Sequence, residues 1–306
     1  MAKAVTSSKK YIVEKERGYI GYIALVLIAL ILLVSPFYRG LYFRENYIPA
    51  TIFISLIFTA YLAYKLLHKD YRIIDSYLDL AVLAIPVCYF ISFLFGVNAK
   101  DGFDAVLLYS SYFMLYKIVS DVTKNDEKKR ELTLNIIIAV IFAIGLISMF
   151  ALFGLIEIKG AAVGSRLYGP FQYPNTTASV LGAGIVLTLN TLICSEKLIY
   201  KLAYQAALTT LLSAFIFTLS RGAYLTLAAV LFMNFILINA KGKMRLILNF
   251  IISAVAGSIL IFKFYTNAGE APSNMMPYYL LSILMCLVAS FILDFVNKKI
   301  HISLTD

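Results

Sequence analysis

Residues 132–154 read LTLNIIIAVIFAIGLISMFALFG, an apolar run without a single charged side chain. A helix that spans a bilayer needs about 20 mostly apolar residues, because the hydrocarbon core is about 30 Å thick. The run is long enough to span, and it predicts a transmembrane helix.

Nine more segments meet the same test along the chain. The fold class predicted is therefore all-α: a polytopic integral membrane protein of about ten transmembrane helices. The predicted segments lie near residues 19–37, 47–67, 77–95, 104–120, 132–154, 176–194, 202–219, 222–240, 246–264 and 275–296.

The composition agrees with a lipid environment. Of the 306 residues 61% are hydrophobic and 14% are charged, whereas soluble domains carry about a quarter charged residues. The net charge of +10 could indicate a nucleic-acid partner. The basic residues lie between the apolar runs, however, so membrane topology explains them and no nucleic acid is expected.

The distribution of Lys and Arg predicts the orientation, because cytoplasmic loops carry an excess of both. With both termini inside, 20 of the 27 basic residues fall on the cytoplasmic side. We expect N-in, C-in topology in the plasma membrane. The expected organisation is a basic cytoplasmic tail at 1–18, a transmembrane region at 19–264, and at 265–306 a short outer loop, the last helix and a cytoplasmic tail.

Ionisable residues are scarce in the middles of the predicted helices. Asp79, Asp104, Lys117 and Asp294 lie near helix ends, where we expect them to reach water or to extend towards it. This scarcity weighs against a proton-coupled pump. The three cysteines have no spacing typical of a metal site or a disulfide framework, so they are expected to be core residues and no metal is predicted.

Two polar motifs stand out on the predicted outer side. The first is SRLYGPFQYPNTTA at 165–178, which leads into the sixth helix, and the second is LSRGAY at 219–224, between the seventh and eighth. Asn175 or Thr176 is expected to cap the sixth helix, and Ser220 the eighth. Arg166 and Arg221 converging near free helix N–H groups would suit a diphosphate. The alternative is structural: an arginine as an interfacial anchor and Pro-Asn-Thr as a turn and cap.

These motifs also resemble the O-antigen ligase/polymerase family. The likeness rests on the two arginine motifs and on SPFYRGL at 35–41, and it covers roughly residues 15–265. Members of that family are polytopic glycosyltransferases that act on the outer face of the plasma membrane. They take a glycan from undecaprenyl diphosphate and transfer it to an acceptor glycan, lipid or protein, without a nucleotide sugar or other cofactor.

The resemblance implies that Arg166 and Arg221 hold the lipid diphosphate. Asn175 and Ser220, which lie beside them in the two motifs, are also expected to be substrate-binding residues. It also exposes a departure, since family members carry a large outer loop with a histidine proposed to activate the acceptor. Here His68 and His301 fall on the predicted cytoplasmic side. Residues 265–274 form only a short outer loop at the place of the large one. Glu270 is a weak candidate base, so the catalytic residue is unknown, and the chain is expected to be a short or truncated member.

Two other functions stay open at this stage. A flippase or transporter of lipids or small molecules would need a polar path through the membrane. A catalytically inactive partner subunit in cell-surface polysaccharide assembly would need only insertion and association.

Overall fold

The computed structural model describes residues 21–266 and 272–303. Within these ranges the fold is all-α, with ten helices that correspond one to one to the ten predicted segments. The basic tail at 1–18 and Glu270 lie outside the described residues. The helices are α1 (residues 21–34), α2 (Arg44–Leu67), α3 (Tyr77–Phe95), α4 (Ala99–Thr123), α5 (Glu127–Leu152), α6 (Pro174–Cys194), α7 (Leu198–Phe217), α8 (Arg221–Leu237), α9 (Ala240–Thr266) and α10 (Met276–Ser303).

Eight of the ten described helices are long and apolar enough to cross a membrane, when α1 is counted together with the 3-10 segment that continues it to Leu41. The other two are α4 and α8. Helix α4 carries charged residues along its length, and α8 is apolar but only 17 residues long. The expectation of a multi-pass membrane protein is therefore confirmed at the level of helix length and composition.

Several helices extend beyond the apolar segments that predicted them. Helix α4 begins at Ala99 rather than 104, because Asn98 caps it by accepting from the Asp101 N–H at 3.3 Å. Similarly, the Asp126 carboxylate accepts from the Lys129 N–H at 3.1 Å ahead of α5. Hydropathy locates the part of a helix that lies in lipid, whereas capping residues set where the backbone helix starts.

The chain packs as two compact units that divide within α5, after Ile136. In the first unit α4 packs against both α2 and α3. A small apolar cluster joins Ala24, Leu25 and Ile28 of α1 to Ile118 and Val122 of α4. The SPFYRGL motif forms a 3-10 segment, Ser35–Leu41, that follows α1 in this unit.

A buried ion network ties three helices of the first unit, α2, α3 and α4, together. Lys117 Nζ on α4 lies 2.9 Å from Asp79 Oδ2 on α3 and 2.7 Å from Asp121 Oδ1. Lys65 Nζ on α2 lies 2.8 Å from the other oxygen of Asp121. The Tyr116 hydroxyl donates to Asp79 Oδ1 at 2.8 Å. Each charge is therefore neutralised by a partner on a neighbouring turn or helix.

The expectation that Asp79 and Lys117 reach water is wrong. Both side chains are only 2% exposed, and they pair with each other. Burial of an isolated charge is very unfavourable, whereas a paired and hydrogen-bonded charge is tolerated. Asp104 and Asp294 are buried as well; Asp104 pairs with Arg44 at 2.7 Å and Asp294 with Lys201 at 2.5 Å.

The second unit is organised around α7, which contacts α6, α9 and α10. Twelve of its 20 residues are buried, and Leu208, Leu211 and Phe217 belong to the main apolar core. Helix α6 packs along α7 and also contacts α8 and α9. Helix α6 therefore lies between α7 and α8 and connects α8 to the core of this unit.

Polar side chains in the middle of this unit hydrogen-bond between helices, which the scarcity of polar residues in the sequence did not predict. Gln205 Nε2 donates to the Asn249 carbonyl at 3.0 Å and to Ser253 Oγ at 2.7 Å. Thr209 Oγ1 donates to the same Ser253 oxygen at 3.0 Å. Such bonds between transmembrane helices hold the helices in register.

The ion network predicts a large stability effect for one lysine. Lys117→Met leaves Asp79 and Asp121 without their shared cation, and we expect the free energy of unfolding to fall by about 3–5 kcal/mol. The matched control is Lys124→Met, because Lys124 is 47% exposed and lies 3.4 Å from Asp75; its loss should cost below about 1 kcal/mol. Thermal melting followed by circular dichroism in one detergent tests this. Equal melting temperatures for the two variants would contradict it.

Candidate substrate-binding site

Arg166 is presented by a small hairpin between α5 and α6. The strands β1 (Ala162–Val163) and β2 (Arg166–Leu167) pair antiparallel, with Val163 opposite Arg166. Gly164 turns the chain at a φ of +58°, in the left-handed region that glycine enters at little cost. Leu167 is fully buried in the core of the second unit and anchors the strand. The arginine beside it consequently has a defined position.

The Arg166 side chain is tied to the turn that precedes Arg221. Its Nε donates to the Thr218 carbonyl at 2.9 Å, and its guanidinium carbon lies 5.6 Å from the centre of the Tyr168 ring. Within the described residues the two terminal nitrogens of this guanidinium have no hydrogen-bond partner. The contact brings the two arginine motifs together. It leaves the two terminal guanidinium nitrogens of Arg166 able to bind an anion.

Gly169 shapes the return of the chain from the hairpin to α6. Its φ is +64°, and a Cβ there would lie 2.8 Å from Thr177 Oγ1 and 3.0 Å from Ser148 Oγ. Thr177, in the first turns of α6, donates to the Tyr168 carbonyl. Only a glycine lets the loop pass this close to α6, which explains the Gly-Pro pair of the first motif.

The predicted capping roles of Asn175, Thr176 and Ser220 are wrong. Helix α6 already begins at Pro174, and no side chain caps it. Ser220 precedes α8 as expected, but its side chain does not cap that helix either. Ser220 Oγ donates instead to Asn175 Oδ1 at 2.9 Å. The two predicted binding residues therefore join the start of α6 to the start of α8.

Arg221 is the first residue of α8 and is exposed. Among the described residues it has no ion-pair or hydrogen-bonding partner for its guanidinium group, so its charge is available. Behind it, the Tyr224 hydroxyl donates to the Ile216 carbonyl and fixes the first turn of α8 against α7. The N-terminal ends of α6 and α8 lie side by side here, and each carries unbonded N–H groups and a positive dipole end.

An apolar groove of about 780 Å³ runs between α6 and α8 from this point. Asn175 and Ser220 line its polar end, while Leu187 and Val230 line its far end. At 1.5 Å per residue, the stretch of α6 from 175 to 187 makes it about 18 Å long. Small residues keep it open, namely Ala178, Gly182, Ala183, Gly222 and Ala223. The apolar segments alone did not predict this groove, although the clustering of Ala and Gly on α6 and α8 is its signal in the sequence.

Neither histidine belongs to this group of residues. His68 follows α2 in the first unit, where its Nδ1 lies 2.9 Å from the Tyr64 carbonyl. His301 lies near the end of α10. Within residues 21–266 and 272–303 no group of three or more His, Cys, Asp or Glu side chains could hold a metal ion.

No protein-family model, curated protein or solved structure matches this chain. The chemistry of the site is therefore inferred from its own geometry. Two guanidinium groups and two helix N-termini favour an anion, and the groove beside them favours a long apolar chain. A ligand that combines both features is an amphipathic lipid with a phosphate-type head.

The loop geometry predicts different costs for two glycines. Gly169→Ala and Gly164→Ala both place a Cβ at positive φ, but only at 169 does the Cβ collide with neighbours, since nothing lies within 4 Å at 164. We expect about 1 kcal/mol of destabilisation for Gly164→Ala and about 2–4 kcal/mol for Gly169→Ala. Comparing thermal melting of the two variants measures the difference. A melting temperature for Gly169→Ala equal to that of Gly164→Ala would contradict the close approach to Thr177.

Proposed function

We propose that this chain is an O-antigen ligase/polymerase-like protein of the plasma membrane that binds a polyprenyl diphosphate-linked glycan through Arg166 and Arg221. The observation that carries the proposal is the position of both arginine motifs at the polar end of the groove between α6 and α8. The resemblance of these motifs to the family supports the same conclusion.

The diphosphate fits the polar end on charge and geometry. Arg166 is positioned through its Nε bond to the Thr218 carbonyl, and its terminal nitrogens remain for the ligand. Arg221 adds a second, exposed cation. Guanidinium forks match phosphate oxygens bidentately, and the N-terminal ends of α6 and α8 add partial positive charge.

The polyprenyl chain fits the groove on polarity and access. Its walls are mainly apolar, with Phe215 of α7 among them and the Ser179 and Thr226 hydroxyls as polar exceptions, and small residues leave the space unfilled. An apolar chain gains little by moving from lipid into such a groove, so the groove orients the donor while the arginines supply affinity.

Transfer would break the bond between the first sugar carbon and the diphosphate oxygen. The arginines stabilise the negative charge that develops on the leaving diphosphate, which needs no metal ion. The acceptor hydroxyl of a glycan, lipid or protein must lose its proton, and no described residue is assigned that role. Glu270 stays a candidate outside the described residues.

The proposal requires the two arginines on the outer face, with both termini inside. Ser165→Cys and Asn125→Cys are each introduced after replacement of the three native cysteines. Both positions are exposed, and they lie in the loops at the two ends of α5, so they report opposite sides of the membrane. A membrane-impermeant maleimide applied to intact cells should label Ser165→Cys and not Asn125→Cys. The reverse pattern would contradict the orientation.

The donor-binding prediction follows from the two guanidinium groups. Arg166→Ala and Arg221→Ala should each weaken binding of undecaprenyl diphosphate-linked oligosaccharide to purified protein by about 30- to 150-fold, equivalent to about 2–3 kcal/mol. Arg166→Lys should recover only part of this loss, because a lysine cannot form the fork. Fluorescence polarisation of a labelled donor, titrated with each purified variant, is the measurement.

The matched control is Arg39→Ala, since Arg39 belongs to the first unit, where its guanidinium carbon lies 5.2 Å from the Phe43 ring centre. Its variant should bind donor as the wild type does. Equal donor binding by all variants would contradict the diphosphate site and favour the transporter alternative. Arginine-dependent binding without any transfer to an acceptor would instead identify a catalytically inactive partner subunit.

A further inference from the structure

A second cavity of about 600 Å³ lies elsewhere in the second unit, among the last turn of α6, the first turns of α7 and α9, and the final turns of α10. It combines charged and apolar walls. The aliphatic wall is formed by Leu192, Met244 and Leu293. No residue of either arginine motif lines this cavity.

The cavity carries more positive than negative charge. Its lining includes three cations, Lys201, Lys241 and Arg245, and one carboxylate, Asp294. The carboxylate pairs with Lys201 at 2.5 Å. Arg245 reaches only the Ile193 carbonyl, at a long 3.4 Å. Lys241 has no ion-pair or hydrogen-bond partner within the described ranges, so two positive charges remain without a counter-ion.

The placement of these two cations is unfavourable for the helix that carries them. Lys241 and Arg245 are four residues apart on α9, so they lie on one face and repel each other. They also occupy the first two turns, where the helix dipole is positive, and the first turn holds no acidic residue. A bound anion would remove both penalties at once.

Uncharged polar side chains also line the cavity. Asn249 and Ser290 are buried and line the cavity, and Asn297 lines it nearer the end of α10. The Asn249 amide already donates one N–H to the Arg245 carbonyl at 2.8 Å. The remaining amide and hydroxyl donors suit phosphate oxygens, and the aliphatic wall suits the first methylenes of an acyl chain. In the proposed N-in, C-in orientation the cavity lies at the cytoplasmic leaflet, where anionic lipids concentrate.

We propose that this cavity binds the phosphodiester headgroup of an anionic phospholipid through Lys241 and Arg245. The site depends on insertion in a membrane and not on binding of the polyprenyl donor. Free inorganic phosphate shares the headgroup chemistry but lacks acyl chains, so the two sources can be separated by experiment.

The test is native mass spectrometry of delipidated protein titrated with phosphatidylglycerol or phosphatidylcholine in a neutral detergent. Wild type should retain phosphatidylglycerol in preference to phosphatidylcholine. The double variant Lys241→Ala, Arg245→Ala should lose about 30-fold in phosphatidylglycerol affinity, taking about 1 kcal/mol per basic residue. Phosphatidylcholine binding should stay unchanged.

The matched control is Lys243→Ala, because Lys243 sits on the same turn but contacts the Phe235 ring at 5.1 Å and does not line the cavity. Asp294→Asn is a second variant, for which we expect a change in the opposite direction. Removal of the carboxylate should tighten phosphatidylglycerol binding. Unchanged phosphatidylglycerol affinity in the double variant, or equal loss in Lys243→Ala, would overturn the proposal. Displacement of the lipid by millimolar inorganic phosphate would identify a free-phosphate site and overturn it as well.

Discussion

Hydrocarbon offers no water to a polar group, so each polar side chain that enters the membrane has to find its partner inside the protein. The first unit meets this constraint with charges: Lys117 of α4 pairs with Asp79 of α3, and Asp121 of α4 pairs with Lys65 of α2, so the network holds three helices. The second unit meets it with neutral groups, through bonds such as Gln205 to Ser253. Buried charges need such a partner, whereas exposed cations such as Arg221, Lys241 and Arg245 keep their charge available to a ligand.

Two places in the second unit retain such charge, and they differ in what surrounds them. Arg166 and Arg221 belong to the two motifs whose Asn175 and Ser220 line the polar end of a mainly apolar groove, and this combination suits a lipid-linked diphosphate. Lys241 and Arg245 lie over a cavity with both buried polar groups and an apolar wall. Rigid packing around α7 positions both sites, since α7 contacts α6, α9 and α10. In the second unit one apolar core around α7 thus carries both groups of cations.

Helix number and type were predictable from the sequence because long apolar runs leave the backbone no alternative to a helix in lipid. The two arginine motifs were predictable as polar breaks between such runs. Their internal contacts were not: nothing in LSRGAY shows that Ser220 bonds Asn175 rather than capping α8. The pairing of Asp79 with Lys117 was also missed, because the two are 38 residues apart and each lies at a helix end that taken alone would reach water.

The central claim is that Arg166 and Arg221 act on one diphosphate, and a double-mutant cycle on donor affinity tests it most directly. Wild type, the two alanine variants and the double variant would be titrated with the same polyprenyl diphosphate-linked oligosaccharide. Groups that hold one ligand moiety are coupled, so the loss in the double variant should differ from the sum of the single losses by about 0.5–3 kcal/mol. Losses that add within about 0.5 kcal/mol would contradict a shared diphosphate and separate the two arginines into independent roles.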